Sequence, residues 1–136
     1  FIDSYEFNYM LPLSTLLILL LGHWVADFIF QTDWMAKNKS KNAYPRFIHC
    51  LVYTIIFGIF SYFVVPLDIL FWFVSINGII HFIIDTYTSK ASNYLSSQGK
   101  YGSDVIPNFG MFTVIGFDQF LHYLIMFSTY VFLVEY

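Results

Sequence analysis

Residues 67–86 read LDILFWFVSINGIIHFIIDT, twenty positions of which Asp68, His81 and Asp85 alone are ionisable and most of the rest are Ile, Phe, Leu, Val or Trp. A helix rises about 1.5 Å per residue, so about 20 apolar residues match the roughly 30 Å hydrocarbon core of a bilayer. The stretch therefore reads as a membrane-spanning helix. Three companions follow from the same test: residues 10–30, with Pro12 tolerated in the first turn; residues 47–65, closed by Pro66; and residues 112–134. The fourth run begins near Phe109, and its first residues are expected to lie at the interface before the span proper. Because residue 67 follows Pro66 at once, the second and third spans are expected to be antiparallel neighbours.

The composition agrees. The chain has 136 residues, 58% of them hydrophobic and 11% charged; its mean hydropathy is +0.65. A soluble domain carries nearer a quarter charged residues. The length sets one domain, residues 1–136, and the expected fold class is all-α: a polytopic integral membrane protein built as a four-transmembrane-helix bundle. The 17 Phe and 11 Tyr suit lipid-facing helices with aromatic ends at the interfaces, and Trp24, Trp34 and Trp72 read as packing or interface residues. A net charge of −3 with no long basic run gives no sign of nucleic acid as a partner. The single cysteine, Cys50, rules out an intramolecular disulfide. It reads as a small buried thiol, with a thiolate ligand beside His49 as the alternative. The sequence opens on Phe1, and residues 1–9, with Asp3 and Glu6, lack the basic start of a signal peptide, so a leader or other start is expected to be missing.

All six Lys and Arg fall in two connections, residues 31–46 (Lys37, Lys39, Lys41, Arg46) and 87–110 (Lys90, Lys100). By the positive-inside rule both connections face the cytoplasm and both termini the opposite side, which four spans make self-consistent. The cations themselves read as this topology signal, with an anionic headgroup contact as the alternative. The expected location is the bacterial inner membrane. The second connection carries Ser, Gly and Asn over 89–108 and reads as a surface loop or a short interfacial helix.

Inside the apolar runs lie three pairs at four-residue spacing: His23 and Asp27, His81 and Asp85, Asp118 and His122. A helix places each pair on one face, one turn apart. The fourth histidine, His49, lies just inside the second run. Ionisable groups in a span are costly, and they usually face the bundle interior and serve a function. Counted from the two basic connections, the seven residues fall at matching depths, so they are expected to meet in the cytoplasmic half of one bundle. Four imidazoles and three carboxylates suit a divalent transition metal, zinc first, with manganese or iron as alternatives. Seven groups exceed the needs of one tetrahedral ion. Either one ion is bound while the remaining groups support it, or two ions share a bridging carboxylate.

A second reading takes the same groups as interhelical polar contacts worth around 1 kcal/mol or less each. Asn77, which extends the stripe of His81 and Asp85, fits that role or a supporting one. Tyr53, one turn from His49, reads as a core residue or as a donor to a substrate oxyanion. The recurrence of His-x3-Asp in the first and third spans suits either an internal repeat or convergence on one geometry.

The stretch from Gly22 to Lys39 (GHWVADFIFQTDWMAKNK), His49, the segment HFIID from His81 to Asp85, and the segment DQFLH from Asp118 to His122 together resemble a family of small bacterial and phage membrane proteins, domain of unknown function 3307. The resemblance covers about residues 13–130 and implies a polytopic membrane protein of bacteria or their phages, with these His, Asp and Gln positions as its signature and no agreed activity. The pattern is also distantly similar to membrane-bound metal-dependent hydrolases. That similarity is the source of the hydrolase expectation and is an analogy of fold.

The leading expectation is thus a membrane metal-binding protein acting as a metal-dependent hydrolase on a lipid or other amphiphile at the cytoplasmic interface. His23, His81 and His122 would be ligands with Asp85 and Asp118, while Asp27 or His49 would serve as base or support. Membrane lipid is the expected partner, and the oligomeric state is left open. Two alternatives stand beside it. One is an ion or proton path, against which the nearly apolar outer halves of the runs count, Thr15, Ser61 and Ser128 being the main exceptions. The other is a structural or host-interaction membrane protein in which the cluster fixes packing.

Overall fold

The computed structural model describes residues 11–102 and 109–135, and among these the secondary structure is entirely helical, without strands. Five helices follow in order: α1 (Leu13–Trp24), α2 (Asp33–Asn38), α3 (Ala43–Ser61), α4 (Leu67–Ser97) and α5 (Met111–Tyr130). Two of them continue into a single wider turn, α1 through Val25–Ile29 and α5 through Val131–Glu135. α3 packs against both α1 and α4, and α4 packs against α5. The bundle closes where His23 on α1 meets Gln119 and Tyr123 on α5.

Each helix buries a stripe at the spacing of a helical turn. On α4 the stripe is Phe73, Asn77, His81, Asp85, Ser89; on α5 it is Val114, Asp118, His122, Met126, Tyr130. The residues turned outward are Leu17, Ile55, Phe71, Ile79, Phe120 and others of their kind. This is the reverse of a water-soluble bundle, in which polar residues take the outer face. Apolar surface all round a helix, with polar groups inside, is the pattern of a bundle whose solvent is hydrocarbon. Three helical segments, Ala43–Ser61, Leu67–Ser97 and Met111–Val134, are long and apolar enough to cross a membrane; the first, Leu13–Ile29, is apolar but shorter.

Close approach of the helices depends on two glycines. A Cβ at Gly78 on α4 would collide with the Thr54 hydroxyl of α3, and one at Gly22 on α1 would fall 2.5 Å from the Phe60 Cβ. Thr54 itself bonds back to the Cys50 carbonyl at 2.7 Å, which keeps its hydroxyl satisfied inside the contact.

The two connections expected as loops contain more helix than their composition suggested. Residues 33–38 form α2, capped by the Thr32 hydroxyl, which accepts from the Met35 amide at 3.3 Å. α4 runs past residue 86 to Ser97, because residues 86–97 contain no Gly or Pro to break it. It ends at Gly99, which takes φ +68°. The Gly99 and Lys100 amides donate to the Ser96 and Leu95 carbonyls at 3.0 and 2.9 Å, a Schellman closure that needs a residue without Cβ strain. The expectations for residues 1–10, for 103–108 and for the C-terminal Tyr136 lie outside the described residues.

Candidate metal centre

All seven residues singled out by spacing lie together at one end of the bundle. His23, Asp27, His49, His81 and Asp85 are at most 3% exposed, His122 is 4% and Asp118 9% exposed. Their positions follow from helix geometry: each His/Asp pair projects from one face of one helix, and His49 comes across from α3. The wider turn after α1 contains Asp27 and closes with the Phe30 amide on the Val25 carbonyl at 3.1 Å. Turns of this kind insert one extra residue and often occur where a helix must aim a functional side chain.

Four side chains converge on one point. His49 Nε2 and His81 Nε2 are 3.2 Å apart. Asp27 Oδ1 lies 3.0 Å from the first and 3.5 Å from the second; Asp85 Oδ2 lies 3.4 and 3.7 Å from them. Tetrahedral bonds of about 2.0–2.2 Å, the range for zinc with imidazole and carboxylate, place ligand atoms about 3.3–3.6 Å apart. The observed separations bracket that edge length.

Hydrogen bonding alone accounts for this arrangement poorly. The four facing atoms are two carboxylate oxygens, which only accept, and two imidazole nitrogens, each of which can carry a single proton. If His49 carries the proton on Nε2, the bare His81 Nε2 faces two carboxylates. The outer nitrogens do not resolve the problem, since the Nδ1 atoms of His49 and His81 are both buried without a hydrogen-bond partner among the described residues. The His81 ring is instead held by stacking on Tyr53, with centroids 3.8 Å apart and planes at 12°. A cation at the centre would satisfy all four inner atoms together, so the donor set fits a metal ion.

Around this group the other residues divide into supports and spare donors. Gln119 donates from Nε2 to Asp27 Oδ2 at 2.9 Å and to Asp118 Oδ2 at 3.0 Å. Two carboxylates thereby fix which way its amide points, and its Oε1 is turned to His23 Nε2 at 2.9 Å. His23 must then carry its proton on Nε2, and its Nδ1 accepts from the Tyr53 hydroxyl at 2.9 Å. Both His23 nitrogens are thus engaged, although His23, Asp27 and His122 also lie close enough together to share an ion. Asp118 accepts from the Thr88 hydroxyl as well. His122 is different: its Nδ1 comes within 3.3 Å of Asp118 Oδ2, but its Nε2 has no hydrogen-bond partner among the described residues. Cys50 is buried and belongs to none of the metal-sized groups found among the described residues.

Lys39, read from the sequence as part of a topology signal or a headgroup contact, reaches into the site. Its Nζ lies 3.0 Å from Asp85 Oδ2. Burial alone would pull its pKa down, but the Asp85 and Asp27 carboxylates outweigh burial and hold the ammonium above its ordinary value. Arg46 fixes the strand of chain that carries it, donating from Nη1 to the Lys39 carbonyl at 2.8 Å and lying over the Phe82 ring. Lys39 and Thr88 take part in the site although the sequence pattern assigns neither a role there, and Gln119 stands in the DQFLH segment of the family resemblance without a stated task. Gln119 adjoins Asp118 and could have been found by that adjacency; nothing in the spacing distinguishes Lys39 from Lys37 or Lys41.

A cavity of about 220 Å³ opens beside the cluster, bordered by Asp27, Lys39, Asp85, Thr88, Ser92 and Asp118 among others. It gives a small polar group a path to the carboxylates.

A family model described as a protein of unknown function (DUF3307) matches residues 15–136, and the chain belongs to that family. No curated protein and no solved structure matches it.

Proposed function

We propose that this member of the DUF3307 family is a four-span membrane protein that binds a divalent transition metal, zinc foremost, and uses the centre to hydrolyse a lipid or another amphiphile at the cytoplasmic interface. The observation that carries the reading is the four-donor group of Asp27, His49, His81 and Asp85, whose His–His and His–Asp separations of 3.0–3.7 Å bracket the edge length around a tetrahedral ion. Charge supports it. Three buried carboxylates face the single ammonium of Lys39, which leaves the cluster net negative and attractive to a cation inside a low-dielectric bundle.

The supports have defined tasks. Gln119 holds Asp27 Oδ2 so that Oδ1 stays turned to the centre, and Tyr53 orients both His23, by hydrogen bond, and His81, by stacking. A divalent ion supplies Lewis acidity and brings the pKa of a bound water down towards neutral. Lys39, at the cavity wall, is placed to neutralise charge developing on a substrate oxygen. The site's depth favours a headgroup-level ester. α4 spans about 46 Å at about 1.5 Å per residue, and Asp85 lies about 27 Å from its start, near the far edge of a hydrocarbon layer of roughly 30 Å. With residues 31–46 and 87–110 placed in the cytoplasm, the cavity opens there.

The hydrogen-bonded set of His23, Tyr53, Gln119 and Asp27 gives some support to a second reading, in which the cluster ties α1, α3 and α5 together without a metal. A through-path for ions has less: beyond the cluster the interior is filled by Leu19, Phe57, Phe73 and Met126, all with no exposed surface.

Elemental mass spectrometry of the untagged protein, purified in mild detergent, tests the proposal beside His81→Ala. Retained zinc, manganese or iron that is lost in the variant, with loss of lipid phosphoester turnover, is the expected result. Absence of metal from the folded wild-type chain, or unchanged metal and turnover in His81→Ala, would sink it.

A further inference from the structure

With all four donors bound, the group fills the positions of a tetrahedral ion, so the water that the proposed hydrolysis requires must be activated at another position of the same cluster. Structural metal sites are closed in this way, whereas catalytic ones keep three protein ligands and an open position. A second group in the bundle has the open form. Asp85, Asp118 and His122 each offer one ligand atom, and these lie within 4.8 Å of one another. Asp85 belongs to both groups. The His81 and His122 rings are 4.2 Å apart by their centroids, so two groups sharing Asp85 would be adjacent. Paired ions in hydrolytic centres lie about 3.5–4 Å apart.

His122 gives the independent reason to place a ligand there. It is only 4% exposed; its Nδ1 faces Asp118 Oδ2 at 3.3 Å, and its Nε2 lacks a hydrogen-bond partner among the described residues. Burying an unpaired imidazole nitrogen is unfavourable, and a bound cation removes that cost. The competing trio of His23, Asp27 and His122 is the poorer choice, because both His23 nitrogens are already held by Tyr53 and Gln119. Asp118, in contrast, is oriented by Thr88 and Gln119 and borders the cavity together with Asp85.

We propose that Asp118 and His122, with Asp85 as the shared carboxylate, form a second divalent-cation site at the floor of the cavity, and that its open position receives the phosphoester oxygen of the substrate. The site rests on the metal-centre reading given above and assigns the two ions different work. The enclosed ion fixes α1, α3 and α4, and the open one meets substrate.

Zinc binding measured at saturation on the full-length, detergent-purified protein separates the two claims. The wild type should hold two zinc ions per chain and His122→Ala one, with helix content by circular dichroism unchanged. Asp118→Asn, which keeps the side chain's size, should also hold one, and this covers the case in which His122→Ala fails to fold. In His49→Ala the enclosed ion should be lost instead. A wild type that saturates at one zinc, with His122→Ala and Asp118→Asn unchanged, would overturn the second site while leaving the metal centre intact. A folded wild type that holds no zinc would overturn both.

Discussion

The two ends of the bundle are built on the same helical stripes and filled with opposite chemistry. At the end beneath the connection of residues 39–42 the stripes present Asp27, His49, His81, Asp85, Asp118 and His122; at the other end they present Leu19, Phe57, Phe73, Met126 and Tyr130, with Val65 packed among them. Both ends are buried to the same degree. Burial therefore does not distinguish structure from chemistry in this molecule, and the residue type on the stripe does. The apolar end is a core in which each side chain fills space, and in the polar end each carboxylate meets an amide, hydroxyl, ammonium or imidazole. Where the solvent around a bundle is hydrocarbon, hiding apolar groups from water contributes nothing. Packing density must hold the first end, and charge and hydrogen bonding the second.

Three substitutions would break or sharpen that contrast. Phe57→Ala is expected to have the largest effect. Phe57 has no exposed surface and packs on Tyr53 and Phe73, and a buried Phe cut to Ala costs about 3–5 kcal/mol where the cavity does not collapse. Thermal unfolding in detergent should show that loss, while metal bound per folded chain stays unchanged; a parallel fall in metal would show that the two ends are not separable. Gln119→Ala comes next. The helix ends and the carboxylates remain, but Asp27 and Asp118 lose the amide that orients them, and loss of such a support typically costs about 10–100-fold in metal affinity. Competition with a zinc chelator measures it, and an affinity within about twofold of wild type would remove Gln119 from the centre. Asn77→Ala should do least. Asn77 bridges Thr129 on α5 at 2.8 Å and the Phe73 carbonyl at 2.9 Å, one turn from His81 on the apolar side. Such contacts are worth around 1 kcal/mol or less. A small fall in the unfolding midpoint with full metal content would place the boundary between the two ends at that turn.

Much of the polar end is legible in the order of residues along the chain. A helix fixes the direction of side chains four residues apart, so the three His/Asp pairs define three faces, and their depth below the basic connections brings those faces to one level. The supports are not legible in the same way. Lys39 enters from a connection whose path depends on how Arg46 grips its carbonyl, and three lysines at alternate positions offer the same charge. The division of the seven residues into a four-donor group, a shared Asp85 and a His23 occupied by hydrogen bonds depends on distances between helices, about which spacing along one helix is silent.

The sequence by itself determined that the chain is helical, that its helices carry apolar outer faces, and that the His/Asp pairs within its apolar runs lie on the inner stripes, since these follow from the period of a helix and from the cost of charge in an apolar run. The tertiary structure alone decided which carboxylate oxygen faces which imidazole nitrogen, that α4 continues to Ser97 along the cavity, and that His122 Nε2 is left without a hydrogen-bond partner among the described residues. Those outcomes depend on contacts between residues 22 to 96 positions apart, set by how the helices pack at Gly22 and Gly78 and by one glutamine amide held between two carboxylates.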